Sequence, residues 1–280
     1  MTMSQQGTTE QRSLAHWAEP RRAGMEAFYA LAIEDYREMV AAREWAADLR
    51  GHADHGRVRV LDVACGSGKF PAELVRQGLA GAVGDLRVEL DLLDPSPFSI
   101  REARSVLRPP LVAAAEHEVR LQDLPAAVGG FDAAWATHAL YAAPPDQIGA
   151  GVARMHAALR PGGFGAIVHA TTASHYLRFA EAFAATFAPD AVPFTSADQV
   201  TDALTAAGAA PRATTIRYQV GNGERAVVEG FLQRCVFDDS VSLDRMETVG
   251  PVGDYLAECR VSGDYRFDQE VDVITWEVPA

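Results

Sequence analysis

Three acidic side chains fall at or near the ends of short apolar runs, and a pair of glycines follows the first. In Val60-Leu61-Asp62-Val63-Ala64-Cys65-Gly66-Ser67-Gly68 an apolar run empties into a turn of small residues. Without Cβ atoms at Gly66 and Gly68 the turn can bend tightly and bring its backbone amides against a ligand at the strand's C-terminal edge. Lys69-Phe70 stands where a P-loop needs Lys followed by Ser or Thr, and Pro71 occupies the third glycine of a dinucleotide fingerprint, so both of those readings are disfavoured. Asp94 closes Val88–Leu93 and opens Asp94-Pro95-Ser96, where a carboxylate can accept both hydroxyls of a ribose. The same acid also suits an N-cap for a helix beginning near Pro97. Asp123, in Leu121-Gln122-Asp123-Leu124-Pro125, is in position to accept a hydrogen bond from an adenine amino group. His138, in Thr137-His138-Ala139-Leu140-Tyr141, sits at the mouth of the same cleft as the candidate proton acceptor, with His169 one strand later in reserve.

These residues need a scaffold of parallel strands. Short apolar runs at Val58–Ala64, Val88–Leu93, Val119–Gln122, Phe131–Ala136 and Phe164–Ala170 read as strands buried on both faces. Helices fit between them at Pro71–Gln77, Pro97–Leu107 and Gln147–Leu159, the last stopped by Pro161-Gly162-Gly163. The alternation predicts a doubly wound α/β core. Upstream, apolar side chains at helical spacing from Arg21 to Arg50 predict a long helix, continuous or broken. Downstream, helices are expected at Ser174–Phe187, Ala197–Ala207 and Ala226–Gln233, with strands at Thr214–Val220 and Val271–Val278. A single domain results: a flexible tail over 1–20, a lid helix over 21–50, a cofactor-binding core over 58–170, and final strands with a substrate-capping insertion over 171–280.

Composition narrows the partners. The 38 acidic and 25 basic side chains give a net charge of −13 over 280 residues, which repels phosphate backbones and argues against nucleic acid. No run approaches the roughly 20 apolar residues of a membrane span, and the first ten residues lack the basic and apolar regions of a secretory signal, so a cytoplasmic location is expected. Cys65, Cys235 and Cys259 are far apart and form no CxxC pair, which suits reduced thiols and assigns no metal.

Taken in order, the glycine turn, the acids Asp94 and Asp123, the strand from Phe131-Asp132 to Thr137-His138, and Leu159-Arg160-Pro161-Gly162-Gly163 resemble class I S-adenosylmethionine-dependent methyltransferases over roughly 58–170. The resemblance implies a Rossmann-like doubly wound sheet of seven strands, mostly parallel with an antiparallel last strand. S-adenosylmethionine is then the cofactor and S-adenosylhomocysteine (SAH) its product. Its amino-acid end would lie near Asp62, Gly66 and Gly68, its ribose at Asp94 and its adenine at Asp123, with Ser96, Ser99 and Thr137 as further contacts. Asp94 lies far downstream of the glycines, a departure covered by an insertion near Gln77–Arg87.

Outside that core the chain looks like the histamine N-methyltransferase branch. The phrases that carry this likeness are Phe194-Thr195-Ser196-Ala197-Asp198, Gly221-Asn222-Gly223-Glu224, Gly230-Phe231-Leu232-Gln233-Arg234-Cys235, and Phe267-Asp268-Gln269 ahead of Val273-Ile274-Thr275-Trp276-Glu277. It implies an acceptor pocket with His138 and Gln269 in the places of that branch's glutamine and asparagine. Tyr141 matches an aromatic wall residue, Phe28 joins it, and Tyr176 and Phe179 approximate further aromatic positions. Glu34, Asp35 and Glu38 compete for the acid that receives the amine. The implied activity is methyl transfer to nitrogen of a small amine- or heteroaromatic-bearing molecule by a monomer or homodimer. Oxygen or carbon methylation of a specialised metabolite, and a non-catalytic S-adenosylmethionine-binding protein, are the alternatives.

Overall fold

A computed structural model describes residues 8–280. Its eight-stranded sheet runs in the order β3-β2-β1-β4-β5-β8-β6. These strands are β1 (Arg57–Val63), β2 (Arg87–Leu93), β3 (Leu111–His117), β4 (Phe131–Thr137), β5 (Leu159–Ala170), β6 (Arg212–Asn222) and β8 (Asp264–Glu277), while the two-residue β7 (Arg260–Val261) pairs only with β8. The first five are parallel, and β8 lies antiparallel to both β5 and β6. Alternate residues of β1 and β4 feed two cores: Val58, Val60, Ala133 and Trp135 face one, while Leu61, Val63, Ala134 and Ala136 face the other. Burial on both faces is what the continuous apolar runs require.

Helices α4 (Lys69–Arg76), α5 (Leu79–Val83), α6 (Pro97–Val106) and α7 (Ile148–Ala158) connect the parallel strands. The extra length between the glycines and Asp94 is the short α5. Ahead of the sheet come α1 (Thr9–His16), α2 (Arg22–Ala41) and α3 (Trp45–Gly51), so the expected long helix is broken near Arg43. Trp45 pins the break by donating its indole N–H to the Met39 carbonyl at 3.0 Å. The C-terminal part adds α8 (His175–Phe187), α9 (Ala197–Ala206), α10 (Arg225–Cys235), α11 (Leu243–Glu247) and α12 (Gly250–Glu258). No helix among the described residues is long and apolar enough to cross a membrane. All three cysteines are free and buried.

Three local expectations change. The third strand is Leu111–His117, not Val119–Gln122. In this edge strand only Leu111 and Val112 are large apolar residues, followed by three alanines, and the strand is half exposed, whereas Leu121 and Leu124 pack with Val152 and Met155 from a 3-10 turn. The Pro161-Gly162-Gly163 run does not stop a helix. It lies inside β5, which begins directly after α7, at an irregularity in the β4–β5 register. The flexible tail expected over 1–20 contains α1; its residues 1–7 lie outside the described residues. The signal for α1 is in the sequence, because Thr8 and Gln11 form a capping box in which each side chain bonds the other's backbone N–H.

Candidate functional site

Strand order reverses between β1 and β4, and open α/β sheets place ligands outside the carboxyl ends of such neighbours. A cavity of about 420 Å³ opens there. The β1–β4 register sets Asp62 opposite Trp135, whose indole N–H donates to Asp62 Oδ1 at 2.7 Å. Oδ2 has no partner, and Asp62 lines the cavity. Burial pushes this carboxyl up to about 7, against the Trp135 hydrogen bond.

After β1 the chain turns through Ala64, Gly66 and Gly68, all at positive φ. Gly66 lines the cavity and donates its N–H to Asp94 Oδ2 at 3.1 Å. Gly68 does not line it: a Cβ there would stand 2.7 Å from Val106 Cγ2 and 2.9 Å from Ala103 Cα, so this glycine serves close packing on α6. Asp94 lies at the end of β2 and also accepts from the Ser96 N–H at 2.8 Å. Burial raises its carboxyl to about 6, partly offset by the two backbone N–H groups. Ser96 and Ser99, expected as ligand contacts, belong to the start of α6 instead: Ser96 Oγ caps the Ser99 N–H, and neither lines the cavity. Thr137, at the end of β4, does line it. Lys69, the only lysine in the sequence, lines it too, with Nζ 4.7 Å over the Tyr29 ring.

Asp123 is a correction. It is exposed, its carboxylate is paired with Arg120 at 2.6 Å, and the cavity wall there is Leu121 and Gln122. The displaced third strand moves this acid onto a 3-10 turn facing solvent.

A smaller cavity of about 80 Å³ shares Ser13, Trp17, Tyr36, His138, Ala139 and Ala142 with the larger one, so the two meet at those residues. Of the three competing acids on α2, Asp35 lines it, while Glu34 is half exposed and paired with Arg37 and Glu38 lines neither cavity. Asp35 shares a buried stripe with Leu31 and Met39, one helical turn to either side. Its Oδ2 accepts from the Tyr176 hydroxyl at 2.5 Å and its Oδ1 has no partner. Burial drives the carboxyl up to about 7, with the Tyr176 and Tyr218 hydroxyls pulling the other way.

His138 adopts positive φ just beyond β4 and lies between the cavities, its Nε2 3.9 Å from Asp35 Oδ2. The Tyr141 hydroxyl accepts from the Ala170 N–H at 3.1 Å and so has its own proton for His138 Nδ1. Assigning the Tyr141 proton to Nδ1 puts the hydrogen of a neutral imidazole on Nε2, on the side of Asp35, where it has no hydrogen-bond partner. Burial pushes His138 down to about 3, which keeps it neutral at physiological pH. His169 is fully buried, bonds the Thr195 carbonyl through Nε2 at 2.8 Å, and lines neither cavity.

Phe28, Tyr141 and Tyr176 line the smaller cavity as expected walls. Phe179 does not: it is fully buried and stacks on His175. Gln269 is also removed from both cavities, accepting from Ser174 Oγ at 2.7 Å on the buried side of β8. The sequence reading missed Trp17, Tyr36 and Arg234 as wall residues. Tyr36 reads as an ordinary apolar position of a helix, and Arg234 lies within a phrase singled out for other reasons.

Residues 60–163 match the family model of the methyltransferase domain. The match runs from within β1 to the beginning of β5 and takes in the ends of β1, β2 and β4 around the larger cavity. No curated protein sequence matches the chain. Among solved structures, a methyltransferase-like protein from Bacillus halodurans is similar at 13% identity and TM-score 0.58, over 85% of this chain and 99% of that one. Magnesium protoporphyrin IX methyltransferase from Synechocystis, solved with SAH bound, aligns at 12% identity and TM-score 0.53, over 94% and 99%. A possible histamine N-methyltransferase from Thermotoga maritima aligns at 14% identity and TM-score 0.50, also over 94% and 99%. At such identities these likenesses speak for the methyltransferase fold, and the histamine-type branch is one neighbour among several. Together with the domain match over 60–163 they show the fold of the core.

Proposed function

We propose that the protein transfers the methyl group of S-adenosylmethionine to nitrogen of a small amine- or heteroaromatic-bearing acceptor. The observation that carries this is the meeting of the two cavities at Tyr36 and His138, with a buried carboxyl in the lining of each, Asp62 and Asp35. The larger cavity would hold the cofactor. Asp62 and Lys69 would hold its amino-acid end, Asp94 retains acceptor capacity for ribose hydroxyls, and Leu121 and Gln122 take the adenine side that Asp123 leaves. When bound, the cofactor supplies an electrophilic methyl group on a sulfonium.

The chain's own work is positioning, water exclusion and proton transfer. Aligning the acceptor can lower the barrier by about 7–11 kcal/mol. The aromatic walls and the lid formed by α1 and α2 exclude water from the junction. A protonated amine must lose its proton before it can attack. Asp35, held near pH 7, is placed to take it, whereas His138 presents an N–H and serves to orient the acceptor. Asp35 thus replaces His138 as the candidate base, and replaces Glu34 and Glu38 as the acid on α2.

The test is thermal denaturation with SAH against NAD. At ten times its Kd a ligand adds about 1.4 kcal/mol to stability, so SAH should raise the melting temperature while NAD leaves it unchanged. A rise with NAD alone would refute the assignment.

A further inference from the structure

Arg234, at the C-terminal end of α10, is only 4% exposed and forms part of the wall of the smaller cavity. Most buried arginines are paired, as a guanidinium taken out of water requires. This one meets only neutral groups. Its Nη1 donates to His16 Nδ1 at 3.4 Å, its Nη2 to the Arg21 carbonyl at 3.5 Å, and its guanidinium lies 4.5 Å over the Trp17 ring. Its Nε has no hydrogen-bond partner. No ion pair to it forms among the described residues, although acids outnumber bases by 13 in the chain and Arg22, Arg43, Arg120, Arg160 and Arg225 all find carboxylates. Burial lowers its pKa to about 10, which leaves it charged at neutral pH.

A positive charge buried in a ligand cavity without a counter-ion is matched when the ligand carries the missing negative charge. The same small cavity holds Asp35 and the rings of Phe28, Tyr141 and Tyr176. Building on the methyl-transfer reading, we propose that the acceptor is a small aromatic or heteroaromatic carboxylic acid. Its carboxylate is held by Arg234, its ring lies against the aromatic walls, and its reacting nitrogen faces Asp35. A carboxylate fits better than a phosphate monoester, which carries about −1.5 to −2 at neutral pH. The site offers a single cation: burial and Arg234 itself hold His16 down to about 4, hence neutral, and Arg21 is already paired with Asp239.

The experiment is titration calorimetry on the full chain saturated with SAH, using 4-aminobenzoate, 4-aminobenzamide and phenyl phosphate as probes. The benzoate should bind about tenfold to a hundredfold more tightly than the amide, the scale of a charge-assisted hydrogen bond, and more tightly than the phosphate. Arg234→Met should bring the benzoate and amide within about threefold of each other, Arg234→Lys should keep part of the preference, and neither should change SAH affinity. Arg234→Met without probe should melt at or above the wild-type temperature, because it removes an uncompensated charge; a purely structural arginine would give a lower one. Equal binding of acid and amide by the wild type, no binding of the acid, or tighter binding of phenyl phosphate would overturn the proposal. These results with normal SAH binding reject only the acid acceptor, whereas failure of SAH itself to bind rejects the methyl-transfer reading beneath it.

Discussion

The larger cavity is built chiefly from strand ends and the turns that follow them, from Asp62 to Ala143, whereas the smaller one adds to the turn after β4 single side chains from α1, α2, α8 and α10. In the first, backbone geometry does much of the work: Gly66 offers an amide, and Asp94 is fixed by two N–H groups. In the second, the acid, the cation and the walls Phe28, Tyr36 and Tyr176 depend on which face of each helix turns inward, while His138 and Tyr141 come from the turn after β4. A site made of local turns can be read along the chain. A site assembled from distant helices requires the packing.

Removing the inward-facing acid of the smaller cavity should have the largest effect. Asp35→Asn is expected to lower kcat by about 100-fold or more, the usual contribution of a positioned base, with SAH affinity unchanged by calorimetry. Wild-type activity should rise with pH through about 7 as Asp35 ionises, and that step should vanish in the variant. The stability consequence has the opposite sense. The folded pKa of Asp35 lies above its unfolded value, so the folded chain binds the extra proton and loses stability as pH rises from about 4 to about 7. The melting temperature of Asp35→Asn should therefore gain on the wild type across that window and keep a constant lead above it. A constant difference from pH 4 to pH 8 would mean that Asp35 is not held protonated by burial.

Next comes the larger cavity. Asp94→Ala should weaken SAH binding tenfold or more, since charge-assisted hydrogen bonds are worth about 1.5–3 kcal/mol. A smaller change is expected on the lid, where Thr8→Ala with Gln11→Ala removes the capping box of α1 at about 1 kcal/mol of helix stability. SAH affinity should fall by a few-fold there, because Gln11, Ser13 and Trp17 line the cavity. Asp123→Ala should have the least effect, leaving SAH affinity within about twofold of the wild type, as its carboxylate is exposed and bound to Arg120. A tenfold loss in Asp123→Ala would restore the adenine contact expected from the sequence.

The difference between the cavities also explains what the sequence made legible. The runs that became β1, β2 and β4 are apolar because both faces of each strand are buried, and Asp62, Gly66, Asp94 and Thr137 follow from where those runs end. β3 escaped because a half-exposed edge strand needs few large apolar side chains and its run is mostly alanine, and Asp123 was misplaced with it. Helix α1 escaped because its start is marked by a cap and not by a long apolar face. Asp35 carried a usable signal: it is the acid spaced four residues from both Leu31 and Met39, within the apolar stripe of α2, whereas Glu34 and Glu38 are not. Arg234 carried none, since nothing in its local pattern says that it is buried without a partner.

A crystal structure of the full chain with SAH tests the central claim most directly. The account predicts one SAH molecule in the cleft outside β1, β2 and β4, its ribose hydroxyls within hydrogen-bonding distance of Asp94 and its sulfur at the junction marked by Tyr36 and His138. Crystals grown at saturating SAH in which that cleft holds no nucleoside, or in which the sulfur points away from the smaller cavity, would contradict it.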